Sequence, residues 1–114
     1  MPNHELDPLR DRLRAFARER DWDPFHSPKN LCMALSGETG ELLEHFQWLT
    51  EEQSRALPTQ TLREVELEMA DILLYLVRLA DKLDVDLLDA ASRKIELNAA
   101  KYPADRCRGN ASKR

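Results

Sequence analysis

Glycine is scarce in this chain, with three in 114 residues, and cysteine is scarcer, with two. So few glycines leave little room for the left-handed turns that hairpins and barrels need, and the wealth of Leu, Ala, Glu and Arg points to helix instead. Cys32 and Cys107 show no CxxC spacing, which suggests neither a zinc site nor a disulfide framework; both read as free thiols. Basic residues are not in excess: 17 Lys and Arg stand against 21 Asp and Glu, for a net charge of −4. A nucleic-acid polymer is therefore not the expected partner, because displacing counterions from its phosphates calls for a basic surface. Long apolar runs are missing too. The longest, Ile72 to Val77, is far too short to cross a bilayer, and no N-terminal stretch joins basic residues to an apolar run. The expectation is a cytoplasmic protein of one domain, at a size where burial is limited and oligomerisation is a common remedy.

Prolines divide the chain into four expected helices. The first runs from about Asp7 to Arg20 and carries Leu9, Leu13, Phe16 and Ala17 on one face. Trp22 to Pro28 reads as a loop, since Pro24 and Pro28 each disfavour helix at the residue before them. A second helix is expected from about Lys29 to Leu49, then a polar segment from Thr50 to Pro58. The third begins at Thr59 or Thr61, with Thr61 and Glu64 spaced as a capping box, and continues to about Leu83. The fourth spans about Asp86 to Lys101 and stops before Pro103. Residues 1–103 thus form the domain, and residues 104–114 a polar, flexible tail. Short connections and an apolar stripe on each helix predict an all-α, four-helix up-and-down bundle. Residues 72 to 79 are apolar nearly all round. Either the third helix is central within one bundle, or it packs on its own core and on a neighbouring subunit, as a dimer or tetramer.

Four acids fall on the side of their helices meant for the core. Glu38 and Glu41 share a stripe with Leu31, Ala34, Leu35 and Leu42, and Glu68 and Asp71 share one with Val65, Ile72, Tyr75 and Leu79. An E-x-x-E spacing alone is common on solvated helices. Buried without compensation, however, such carboxylates cost several kcal/mol each (roughly) or take up protons. Hard divalent cations prefer oxygen ligands, so Mg²⁺, or Mn²⁺, is the natural counter-charge for two i,i+3 pairs on facing helices. Glu44 falls off the stripe. Glu64 lies near it and is held as an outer partner or a cap.

Four segments in this order and spacing resemble one family: Arg20 to Leu31 (RDWDPFHSPKNL), Gly37 to Trp48 (GETGELLEHFQW), Glu66 to Leu76 (ELEMADILLYL) and Lys94 to Pro103 (KIELNAAKYP). The chain resembles the MazG-like all-α nucleoside triphosphate pyrophosphohydrolases, and within them the dCTP pyrophosphatase branch, over almost its whole length. The resemblance implies Mg²⁺-dependent hydrolysis of a nucleoside triphosphate, dCTP or a modified dCTP, to monophosphate and pyrophosphate, as a sanitation activity on the nucleotide pool. It implies Glu38, Glu41, Glu68 and Asp71 as metal ligands, with Glu41 or Glu38 orienting or deprotonating the attacking water. It places the base among Trp22, Phe25, His26 and Trp48, where the alternatives are core or interface packing for the tryptophans and a loop hydrogen bond for His26. Tyr75, one turn past Asp71, either caps the sugar and disfavours a 2′-hydroxyl or simply packs. Lys94 and Asn98, with Lys101, share a face suited to β- and γ-phosphate oxygens, or form a solvated basic face. Two departures stand out. Leu13 occupies a position where eukaryotic relatives carry a pocket histidine, which loosens the expected cytosine preference. At the C-terminus Arg114 replaces a tyrosine of the family's G-x-x-K-Y stretch, which weakens a role for Lys113.

Two other classes compete. A carboxylate-bridged di-iron or di-manganese redox bundle needs E-x-x-H on two helices, and here no glutamate has a histidine three residues on; His45 follows Glu41 by four. A non-catalytic helical module that only binds a structural ion is the other.

Overall fold

The computed structural model describes residues 5–109. Every regular element among them is a helix: α1 (Asp7–Glu19), α2 (Pro28–Glu44), α3 (Glu51–Ser54), α4 (Thr59–Lys82), α5 (Leu87–Lys101) and α6 (Ala104–Cys107), with a 3-10 turn at Asp23–Phe25. All-α architecture follows the sequence expectation, and α1, α4 and α5 lie close to their expected spans. Three local features differ. The second helix stops at Glu44 rather than near Leu49, and the chain continues through turns. The polar segment holds a short helix, α3, because Thr50 and Gln53 make a reciprocal capping box: Gln53 N–H donates to Thr50 Oγ1 at 3.1 Å and Thr50 N–H to Gln53 Oε1 at 2.9 Å. The box expected at Thr61 and Glu64 does not form. Pro58 caps α4 and its carbonyl already accepts from Leu62 N–H at 2.9 Å, so Thr61 lies inside the first turn and Glu64 instead accepts from Gln60. The segment expected as a flexible tail opens with α6; Lys113 and Arg114 lie outside the described residues.

With glycine so rare, aspartate turns the chain at two helix ends. Asp21 (φ 53°) and Asp84 (φ 55°) adopt the left-handed conformation just after α1 and α4. Each closes a Schellman turn: Trp22 N–H donates to Ala17 O at 2.9 Å and Asp21 N–H to Arg18 O at 3.2 Å, while Val85 N–H donates to Ala80 O at 2.8 Å and Asp84 N–H to Asp81 O at 3.2 Å. The motif presses its last residue against the helix it ends. That fixes Trp22 beside Ala17, and the two line one cavity together.

α2 packs along α4, and α1 makes a smaller contact with α4. The buried apolar residues come from these three helices: Ala17, Leu31, Val65, Val77 and Ala80. α5 has none, and residues 91–101 are all exposed. The outcome is extended, 48 × 39 × 24 Å with a radius of gyration of 17.4 Å, where a compact chain of this length would give about 13 Å. Large apolar side chains stand open, among them Trp48 at 86%, Leu67 at 69% and Ile95 at 65% exposure.

Arg78 is the exception in the core, a charged residue only 6% exposed. Its Nη2 donates to Asp23 Oδ1 at 2.6 Å, its Nη1 lies 3.6 Å from Asp81 Oδ2, and Asp81 also accepts from Arg14 Nε at 2.8 Å. Lys82 Nζ donates to the same Asp23 oxygen at 2.7 Å. This network ties α1 and the Asp23 turn to α4. Replacing Asp81 by Ala removes one of two carboxylates that neutralise a buried guanidinium. A loss of roughly 1–3 kcal/mol is expected, read as a lower urea midpoint with unchanged slope; an unmoved midpoint would rule the network out as a structural tie.

Candidate active site

α2 and α4 face each other along the stripes that carry the acids. Glu38 and Glu41, three apart on α2, meet Glu68 of α4 so that one carboxylate oxygen from each lies within 4.8 Å of the other two. Asp71, one turn beyond Glu68, is outside that cluster and lines the neighbouring cavity, yet its charge acts on both Glu38 and Glu68. Glu38 and Glu68 are partly buried and Glu41 is exposed. Glu44 is exposed, as its position off the stripe predicts, and Glu64 is exposed with His45 Nδ1 at 3.9 Å from its carboxylate.

Negative charge is crowded here, with His45 the one group that counters it at Glu68 among the described residues. Glu38 Oε2 and Glu68 Oε2 are buried and have no hydrogen-bond partner among the described residues. Desolvation, followed by Glu41, Asp71 and Glu68, pushes the Glu38 carboxyl up to about 7. Glu68 is raised by the same desolvation and by Glu41 and Asp71, against a lowering by His45. Three oxygen ligands around one point, two of them with unpaired buried atoms, fit a hard divalent cation.

This crowding fixes a pH dependence. Between the ordinary carboxylate value of 4.5 and about 7, folded Glu38 holds a proton that the unfolded chain has released, so stability contributed by this site falls as pH rises through that window. Asp23 and Asp81 behave oppositely, since their cation partners, Lys82 and Arg14 foremost, hold them below the usual 3.8; the stability they give is lost only as pH falls below that value. His26, held below its ordinary 6.5, pulls the other way in the same window, so the crowding is read by comparison: in chelator the melting temperature of Glu38→Gln relative to the wild type is expected to rise from about pH 5 to about pH 7.5, and Mg²⁺ at roughly 100 times its Kd should stabilise the wild type by about 2.7 kcal/mol at neutral pH. Scanning calorimetry reads both. A difference between the two proteins that stays flat or shrinks across that range would contradict the crowding.

Beside the carboxylates lies a mostly apolar cavity of about 210 Å³, lined by Leu13, Phe16, Ala17, Trp22, His26, Asp71, Leu74, Tyr75 and Arg78. Phe16 and Trp22 meet edge to face with ring centroids 5.6 Å apart, and His26 lies 6.2 Å from the indole. Of the aromatic residues named from the sequence, Trp22, His26 and Tyr75 come together here. Phe25 and Trp48 do not; both are exposed and stand outside this cavity, as do Lys94 and Asn98 on the open face of α5. Leu13 does line it, so its departure falls on the cavity wall. Sequence reasoning missed Phe16, Leu74 and above all Arg78. The signal was present: Arg78 interrupts an apolar run and lies two turns past Asp71 on the same face.

The sequence model of the MazG-like family matches residues 33–113. Mouse dCTP pyrophosphatase 1 is 43% identical over 98% of this chain and 67% of its own length, and the human protein of that name is 40% identical over the same shares. A solved pyrophosphatase from Archaeoglobus fulgidus superposes with a TM-score of 0.82 at 39% identity, covering 90% of this chain and 96% of that one. The chain belongs to the MazG-like family. Its similar curated relatives are dCTP pyrophosphatases, of whose length it spans about two thirds.

Proposed function

We propose that this chain hydrolyses a nucleoside triphosphate to the monophosphate and pyrophosphate, with dCTP or a modified dCTP as substrate. The observation that carries the reading is the adjacency of two features: a carboxylate cluster with two unpaired buried oxygens, and an aromatic cavity that shares Asp71 with it. The activity of the similar relatives supports it.

Glu38, Glu41 and Glu68, with Asp71 beside them, are the residues to hold Mg²⁺ or Mn²⁺. When bound, the ion neutralises charge on the phosphate oxygens and lowers the pKa of bound water. Glu41, the accessible member of the cluster, orients or deprotonates the attacking water, with Glu38 the other candidate. Trp22 and His26 take the base, and Tyr75 abuts the sugar against a 2′-hydroxyl. Phe25, Trp48, Lys94 and Asn98 complete the base and phosphate contacts only if a neighbouring subunit closes over the site. The exposed apolar residues of α4 and α5 support such a homo-oligomer, a dimer or tetramer in which the four-helix bundle is completed between chains. In this reading residues 1–103 form the working domain, residues 104–114 an appended tail, and the enzyme acts on the nucleotide pool of the cytoplasm. Among the described residues no helix is long and apolar enough to cross a membrane.

The test is a panel of dCTP, 5-methyl-dCTP, dUTP and dTTP incubated with Mg²⁺, with pyrophosphate and monophosphate both quantified. Equimolar release, fastest from a cytosine nucleotide, is the expected result. Release of inorganic phosphate instead, or of nothing from any nucleotide, would remove the proposal.

A further inference from the structure

We propose that Arg78 is a positioning residue for base recognition: it locks His26 as the neutral tautomer whose Nε2–H faces the ligand as a fixed hydrogen-bond donor. The inference deepens the nucleotide reading above and rests on it. Arg78 Nε–H donates to His26 Nδ1 at 3.2 Å. A guanidinium has donors and no acceptor, so the ring nitrogen opposite it must carry a lone pair, and the imidazole proton is left on Nε2. Burial, then the charges of Arg78 and Lys82, hold the imidazole below its ordinary value of 6.5, which keeps it neutral near pH 7.

The other side of the ring is open. His26 is partly buried and lines the aromatic cavity. Nε2 has no hydrogen-bond partner among the described residues, and it is not among the buried unpaired atoms, so it keeps some exposure at a ring that lines the cavity. Arg78 is itself immobilised: its side chain is 7% exposed and held by Asp23 and Asp81. Asp23 is three residues before His26, and its bond to Arg78 fixes the turn that carries the ring. The cavity therefore presents one rigid donor of known tautomer against stacking surfaces, which suits a carbonyl or imino-nitrogen acceptor on a pyrimidine edge. A ring free to exchange tautomers would present an acceptor part of the time and select less well.

The test combines spectroscopy and kinetics on the full chain. Long-range ¹H–¹⁵N correlation should show His26 of the wild type and of Arg78→Lys as the single Nε2–H tautomer, and Arg78→Met as a mixture. Wild-type His26 protonated on Nδ1 would overturn the proposal. In kinetics, dCTP is compared with deoxyribose 5′-triphosphate lacking a base. For Arg78→Met the loss of kcat/KM on dCTP should exceed the loss on the abasic compound by roughly 3- to 10-fold, mostly in KM, with Arg78→Lys restoring it. Equal losses on both would mean that Arg78 only supports the fold. If the wild type turns over neither compound, the pyrophosphohydrolase reading fails separately, and titration with dCMP then decides: the His26 Nε2 resonance must shift in the wild type and not in Arg78→Met.

Discussion

A Glu38→Gln variant should release pyrophosphate at least ~100-fold more slowly than the wild type while folding at least as stably in metal-free buffer. The substitution keeps size and shape and removes one charge. Glu38 Oε2 is buried and unpaired, and the carboxyl is raised by burial and by Glu41, Asp71 and Glu68. Without a cation, that negative charge is a burden to the fold, so an amide relieves repulsion. With a cation, the lost carboxylate removes a ligand from a cluster of three. The two readouts move in opposite directions, which a simple folding defect cannot imitate. Steady-state pyrophosphate release and the melting temperature in chelator, each with and without Mg²⁺, measure them; a fully active variant would disqualify the cluster as the reaction centre.

Trp22→Ala carries the second large effect. The indole is 44% exposed, anchored at its backbone by the Schellman turn, and set edge-on to Phe16. An aromatic wall of this kind is worth roughly 1–3 kcal/mol when a base stacks on it, so kcat/KM for dCTP should fall by about 5- to 150-fold, chiefly through KM. Trp22→Phe should recover much of the loss. The carboxylates are untouched, so kcat at saturation should stay within a few-fold. An unchanged KM would move the base elsewhere, to Trp48 in a closed assembly.

The prolines made most of the architecture legible. Pro8, Pro28 and Pro58 stand at or beside helix starts and Pro103 follows the end of α5, so three of the four expected spans came close to the observed ones. The approach of Glu38 and Glu41 to Glu68 was also legible, because helical period puts them on facing stripes; the exposure of Glu41 and the place of Asp71 outside the cluster were not. Legibility failed where a local competitor decided the outcome. No proline or glycine marks the end of α2, and its last expected turn gave way to the turns leading into the Thr50 capping box. It failed again for contacts between distant segments. Arg78 reads as a blemish in an apolar run until Asp23, 55 residues away, is found beside it. Period tells which way a side chain points, not what meets it. The same limit holds for Trp48, Lys94 and Asn98, which helical period could not place and the structure leaves exposed.

The backbone at Asp21 has one more consequence. A left-handed aspartate costs of order 1 kcal/mol, and a glycine there would remove that cost while giving the unfolded chain extra freedom of similar worth. Glycine or asparagine at position 21 should thus be nearly neutral. A β-branched side chain has no such escape, and valine or isoleucine would force the turn open and carry the indole of Trp22 away from the cavity. Position 21 lines no part of that cavity, yet the range of residues it accepts is set by where the next side chain has to stand.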